Sequence, residues 1–364
     1  MSAAIAFAMP DNEERPYTLE TALDHEYMKA VFSPVIRSRF GKNVHIERVS
    51  IEVIRRRNHR CVLRYQIHAL DTYGAIKIAW RLIGKVIRPE VGQRLYENMQ
   101  RLWENGFARN AEDGISMPEP LEFLPEMGLL VQEEVPGQPV KALMKQPALQ
   151  PEHFRQLART LTKLHKCPIF LGQKSRARVR EYLLRCHPRH DFLALACPDL
   201  APAIEYITTA AQSVESSFGD IGLTLLHGDF HLGQVHLQNR RSWLLDFDAL
   251  GYGDPASDLG NLLVFMEGKA RNNAEVQRLI DAFQDEYFSR MDHRIAARIP
   301  LYQGLTHLRR ACKCLRLQEK GWQEKVQRMV EQGVKSIQSM TKCCFSSMPH
   351  SIGGRTNGRD HRIQ

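Results

Sequence analysis

The run His227-Gly228-Asp229-Phe230-His231-Leu232-Gly233-Gln234 concentrates more groups able to do chemistry than any other stretch of this sequence. It follows an apolar stretch, Leu223 to Leu226, and precedes another, Val235 to Leu237. A turn at Gln238 to Ser242 then leads through Trp243-Leu244-Leu245 into Asp246-Phe247-Asp248. Short apolar runs bounded by turn residues read as strands, which makes the segment a β-hairpin with a polar loop ahead of it. Side chains alternate faces along a strand, so Asp246 and Asp248 point the same way and Phe247 points into the core. The hairpin brings Gln234 beside Asp246 at the base of the loop that carries Asp229. Oxygen-bearing side chains converging on one spot suit Mg²⁺, which binds through one or two carboxylates together with substrate phosphates. A rival reading takes His227, Asp229, His231 and His236 as ligands of a zinc or iron hydrolase. That reading leaves Asp246 and Asp248 without a role.

The elements that must position these groups fall into two halves. A chain of 364 residues suggests two domains. With 43% hydrophobic and 25% charged residues it has the composition of a folded protein, and it lacks the ~18 uninterrupted apolar residues of a membrane span. Fifty Lys and Arg against 41 Asp and Glu give a net charge of +9, which favours anionic ligands without indicating nucleic acid. The stretch Met1 to Pro10 lacks the basic region of a secretion signal, and the eight cysteines form no paired C-x-x-C set, so they read as reduced thiols of a cytoplasmic protein.

From His45 to Ala69 the residues predict two antiparallel strands broken at Arg57-Asn58-His59, and Ala75 to Ile87 predicts a third. Leu95, Met99, Leu102 and Trp103 recur at helical spacing after Pro89, and Leu129 to Val131 form a short buried strand. Beyond the Pro136-Gly137 turn the pattern becomes helical, as at Phe154, Leu157, Leu161 and Leu164. The expected organisation is a disordered 1–17, a strand-rich lobe over 18–133, a hinge at 134–138, a helical lobe over 139–345 and a disordered tail over 346–364.

The His-Gly-Asp run, with an amide five residues after Asp229 and an Asp at the end of the following hairpin, resembles aminoglycoside phosphotransferases, choline kinases and related small-molecule kinases. The resemblance covers Leu225 to Leu263, including Gly253-Asp254-Pro255-Ala256-Ser257-Asp258-Leu259-Gly260-Asn261, and Glu152 to His165 is similar to the family's leucine-histidine helix. Most relatives carry Asn where Gln234 stands; His-Leu-Gly-Gln is similar to a maltokinase-like subset, and both amides offer the same carbonyl oxygen. The resemblance implies an α+β, protein-kinase-like two-lobe fold, a small strand-rich lobe joined to a larger helical lobe containing a β-hairpin. It implies ATP and Mg²⁺ as cofactors and a small-molecule alcohol as acceptor, with no nucleic-acid or membrane partner. Carried over residue by residue, Asp229 is the base for the acceptor hydroxyl, Asp246 and Gln234 bind the metal with Asp248 as a further ligand, and Asp258 and His227 support the catalytic loop.

Phosphoryl transfer also needs a cation from the first lobe. Lys85, on a strand just before a helix, fits that need better than Lys77, with Glu97 on the helix expected to pair with it. Gln132, Glu133 and the residues to Val135 form the connector expected to meet adenine through its backbone. No glycine-rich loop precedes these strands, which leaves the turn at Asn58-His59 to serve with backbone N–H groups. That absence, together with Gln234, gives weight to a further reading, an inactive nucleotide-binding scaffold, whereas intact Asp229 and Asp246 favour an enzyme. Arg309, Lys313, Arg316 and Lys320 read as one solvated helical stripe, and Arg55 to Arg57 as a solvated strand edge. Asp281, Asp285 and Glu286 are too few for a polycation pocket, which favours a sugar or polyol over an aminoglycoside or amino alcohol.

Overall fold

Along β2 (Arg60–Asp71) every second residue is apolar and buried: Cys61, Leu63, Tyr65, Ile67 and Ala69. That alternation gives the strand a core face and an open face carrying Val62, Arg64 and Gln66. The computed structural model describes residues 19–57, 60–72, 77–146, 149–169, 171, 179–218, 221–270 and 273–346. The two expected disordered ends and the Asn58-His59 turn therefore lie outside the described residues, apart from Ser346, where a helix ends.

β2 is the second strand of an antiparallel five-stranded sheet. Its neighbours are β1 (Val44–Arg57) and β3 (Lys77–Val86), and the sheet continues through β6 (Leu129–Glu133) to β5 (Pro120–Leu124) at the far edge. The helix His25–Phe40 packs on this sheet and buries Met28, Val31, Phe32, Val35 and Ile36. Asp24 caps it by accepting from the amides of Glu26 and Tyr27, a start signal visible in the sequence. The helix Pro89–Leu102 packs against β5 and β6 through its buried stripe of Leu95, Met99 and Leu102. Chain contacts divide the protein into two compact units, residues 1–176 with 222–292, and 177–221 with 293–364. The expected hinge at 134–138 lies inside the first unit.

Also in the first unit are a small sheet ordered β4 (Ile115–Ser116), β10 (Arg241–Leu244), β9 (Val235–Gln238) and β7 (Gln138–Pro139), and a two-stranded pairing of β8 (Thr224–Leu226) with β11 (Gly251–Gly253). The β9–β10 hairpin is the one read from the sequence, in register with Leu244 opposite Val235. The helices Pro151–His165, Ala256–Ala270 and Ala274–Phe288 complete this unit.

The second unit is helical, built from Val179–Leu183, His190–Ala196, Ala201–Ser217, Ile299–Leu317 and Trp322–Ser346. A Cβ on Gly333 would come within 2.8 Å of Ile207 and 3.2 Å of the Gly304 carbonyl, so glycine is what lets these helices approach. The basic stripe belongs here. Lys320 lies past the helix, which ends at Leu317 with Gln318 in a left-handed cap, and the Arg309 guanidinium rests over the Tyr182 ring at 5.6 Å. The four residues are therefore not one continuous helical face.

Candidate active site

The loop between β8 and β9 is held from beneath by one buried carboxylate. Asp258, in the first turn of Ala256–Ala270, is 1% exposed and accepts from the amides of His227 (2.7 Å) and Gly228 (2.8 Å). The oxygen that accepts from His227 also meets His165 Nε2 at 3.2 Å, and His165 Nδ1 bonds the Tyr287 hydroxyl at 2.7 Å. Burial works to raise the Asp258 carboxyl, but His165 and the His227 amide outweigh it and hold the group below the usual carboxylate range. Gly228 turns the loop at φ +78, and a Cβ there would meet the Ala249 carbonyl at 2.1 Å, so no other residue fits.

His227 ties the loop to the hairpin. Its Nε2 bonds the Leu245 carbonyl at 2.8 Å and its Nδ1 faces the Asp229 amide at 3.4 Å. Asp229 is half-buried and takes a 3.5 Å contact from the Asn261 amide, which also donates to the Phe230 carbonyl at 2.8 Å. Asn261 had no role in the sequence reading; its position one helical turn after Asp258, on the same face, is the signal that finds it.

Asp246 and Asp248 do reach one spot, but not by strand alternation. β10 ends at Leu244, Asp246 adopts φ 67 and ψ 66 in the left-handed region, and residues 247–249 form a 3₁₀ turn. Phe247 is buried as expected. Lys85 Nζ donates to Asp246 Oδ1 at 2.8 Å and to Asp248 Oδ1 at 3.3 Å, and Gln234 Nε2 donates to Asp246 Oδ2 at 3.2 Å. Burial opposes ionisation of both Lys85 and Asp246, yet their mutual attraction prevails, raising the Lys85 ammonium and holding Asp246 far below an ordinary carboxylate. Burial likewise pushes the His231 imidazole down, against the pull of Asp229 and Asp246.

Lys85 therefore pairs with the Asp-Phe-Asp carboxylates and not with Glu97. That residue lies on the exposed face of its helix, bonded to Gln93 at 2.9 Å, because the twelve-residue spacing places it on the side away from the buried stripe. Lys77 is exposed at the opposite end of β3.

A cavity of about 390 Å³ opens beside these groups, lined by Val62, Ile83 and Leu245 on its apolar side and by Lys85, Gln234 and Asp246 on its polar side. The connector runs along it, with a correction to the expected contacts. Gln132 sits inside the sheet opposite Ile83, and the amides of Glu133 and Glu134 donate to the carbonyls of Glu119 and Arg81. The Glu133 carboxylate is held by Trp80 and Arg109. Among the described residues Val135 N–H is the connector donor left for a ligand.

The histidines do not assemble a transition-metal site: no group of three His, Cys, Asp or Glu side chains arranged for a metal occurs among the described residues. The ring nitrogens of His227 are spent on the loop, and His231 Nδ1 accepts from the Gly233 amide at 2.9 Å. The cluster at Lys85 offers a different donor set, two carboxylates and an amide, all hard oxygens of the kind Mg²⁺ takes.

Residues 79–297 match the family described as phosphotransferase enzyme family. No curated protein matches the chain. Among solved structures, a thermostable mutant of aminoglycoside phosphotransferase APH(4)-Ia aligns with a TM-score of 0.55 at 13% identity, covering 84% of this chain and 98% of that one. Choline kinase from Cryptosporidium parvum Iowa II aligns with a TM-score of 0.55 at 9% identity, covering 81% and 91%. The amicoumacin kinase hAmiN, solved with AMP-PNP, Ca²⁺ and Ami, aligns with a TM-score of 0.54 at 16% identity, covering 79% and 88%. The chain shares the protein-kinase-like α+β fold of these structures.

Proposed function

Because the chain belongs to the phosphotransferase enzyme family and is a small-molecule kinase, we propose that it transfers the terminal phosphoryl group of ATP to a hydroxyl of a sugar or another neutral polyol. The observation that carries this reading is the contact of Lys85 with Asp246 and Asp248, which joins a sheet strand to the hairpin at the mouth of the cavity. Phosphoryl transfer asks for positioning and charge neutralisation, and this cluster has the groups for both.

The cavity supports a nucleotide as its occupant. Its apolar wall suits a base, with Val135 N–H at its edge. His236 Nδ1 and Glu134 Oε2 belong to residues that line it, are buried, and have no hydrogen-bond partner among the described residues. Burial lowers the His236 imidazole, which keeps it neutral and able to accept. A carboxylate oxygen and a neutral ring nitrogen left unpaired call for a ligand bearing hydroxyl donors, as ribose does.

Asp246, Asp248 and Gln234 would hold Mg²⁺, which supplies neutralisation of the phosphate charge. Lys85 adds a fixed positive charge for the phosphates. Asp229, steadied by Asn261 and the loop anchored on Asp258, orients the acceptor hydroxyl and receives its proton as the oxygen attacks phosphorus. The preference for a neutral acceptor is supported by Glu286 of Ala274–Phe288, whose charge is already balanced by Arg159 and Arg290.

The test is ADP release with a panel of sugars, polyols, aminoglycosides and amino alcohols. Asp229→Ala should cut acceptor-dependent turnover about 10³-fold, the range of one general base, with ATP affinity nearly unchanged. Full turnover by Asp229→Ala would refute the base, and turnover of aminoglycosides alone would refute the neutral acceptor.

A further inference from the structure

No glycine-rich loop precedes the first strands, which leaves any backbone cradle for phosphates to the Asn58-His59 turn, outside the described residues. The strand register shows what stands near that place. Val53 pairs with Leu63, but the next pair is Arg55 with Val62, because a β-bulge at Ile54 adds one residue to β1. Without the bulge Ile54 would oppose Val62, and Arg55 would oppose Cys61, whose side chain is buried in the core. With it, both Ile54 and Arg55 fall on the open face. Ile54 and Val62 line the cavity described above.

The row continues from Val62 to Lys85 on β3. Residues directly opposite each other across a sheet share a face, so Arg55, Val62 and Lys85 form one line across the cavity side, with Arg55 about 10 Å from Lys85 at two strand spacings. The next row on that face is spent: Arg64 pairs with Glu52 and with Glu134. Arg55 is exposed, and its guanidinium makes no ion pair or hydrogen bond among the described residues.

We propose that Arg55 is a phosphate-binding residue of this kinase, its guanidinium closing over the nucleotide's outer phosphates in place of a glycine-rich loop. The inference rests on the reading of the cavity as the ATP site. It assigns a role to a bulge that otherwise carries a bare positive charge onto the ligand side of the sheet, and a planar guanidinium matches phosphate oxygens two at a time.

The experiment measures binding of Mg-ATP and of adenosine to the wild type, Arg55→Ala, Arg55→Lys and Arg56→Ala. Arg56 opposes Cys61 on the other face and serves as the charge-matched control. Arg55→Ala should weaken Mg-ATP by about tenfold or more, the loss of a charge-assisted hydrogen bond, and leave adenosine within twofold. Arg55→Lys should recover part of the loss, and Arg56→Ala should bind as the wild type does. Equal losses in Arg55→Ala and Arg56→Ala, or unchanged Mg-ATP affinity in Arg55→Ala, would overturn the proposal. Failure of the wild type to bind either ligand would instead overturn the ATP site on which it rests. Because Arg55 is exposed and unbonded, melting temperatures of all four proteins should coincide.

Discussion

Replacing Asp258 by Asn tests whether one carboxylate organises the loop that carries Asp229. The substitution keeps size and one acceptor oxygen but turns an NH₂ toward groups that the wild-type carboxylate accepts from: the amides of His227 and Gly228 and the ring of His165. At least one of these N–H groups is left buried facing another donor. Breaking a buried, charge-assisted arrangement of this kind costs about 3 kcal/mol. For a domain of a few hundred residues that corresponds to a melting temperature lower by about 6–12 °C.

The pH dependence gives the sign. The folded Asp258 carboxyl lies below its ordinary value, so the stabilisation is present above the unfolded pKa of about 3.9 and is lost as pH falls through the folded value. Thermal melts of wild type and Asp258→Asn should therefore differ most near neutrality and converge at strongly acid pH. Turnover should fall as well, because Asp229 rides on the loop. A variant melting within 1 °C of the wild type at neutral pH would refute this reasoning, as would a gap that widens on acidification.

Lys85→Met removes the cation shared by Asp246 and Asp248, and kcat/KM should fall by about 10²–10³-fold, the scale for loss of one fixed charge at developing phosphate charge; steady-state kinetics showing less than a tenfold loss would remove Lys85 from the mechanism. Gly228→Ala drives a methyl against the Ala249 carbonyl at a positive φ, so unfolding by urea should show about 3 kcal/mol or more of destabilisation, and a near-neutral result would contradict the loop geometry.

How far the sequence could be read follows from which constraints are local. The strands of the first half were legible because one buried face writes itself as alternation, as in Cys61, Leu63, Tyr65, Ile67 and Ala69. The meeting of Gln234 with Asp246, and of Asp258 with the loop that carries Asp229, was legible because the motif keeps few residue types at fixed spacings. Glu97 failed because pairing it with Lys85 required a helix rotation that spacing alone does not give; the buried stripe turned it outward. The connector amides before Val135 were misjudged because their partners, the carbonyls of Glu119 and Arg81, come from distant parts of the chain, a tertiary fact. The helix His25–Phe40 went unread although Asp24 and Gly41 bracket it with cap signals.

The left-handed turn at Asp246 explains how two acids two residues apart come to act on one cation. Had the strand continued through Asp248, the carboxylates would stand about 7 Å apart along it, too far for a single ammonium to bridge. The turn instead folds both onto Lys85, at 2.8 and 3.3 Å. Placing a non-glycine residue there costs about 1–2 kcal/mol, and the bonds from Lys85 and Gln234 offset it. Two carboxylates and one ammonium leave the cluster with a net charge of −1, so it still attracts a divalent cation and repels bare phosphate. A bound divalent cation would thus remove the obstacle to polyphosphate, and a cluster of this charge would favour a metal–nucleotide complex over the nucleotide alone.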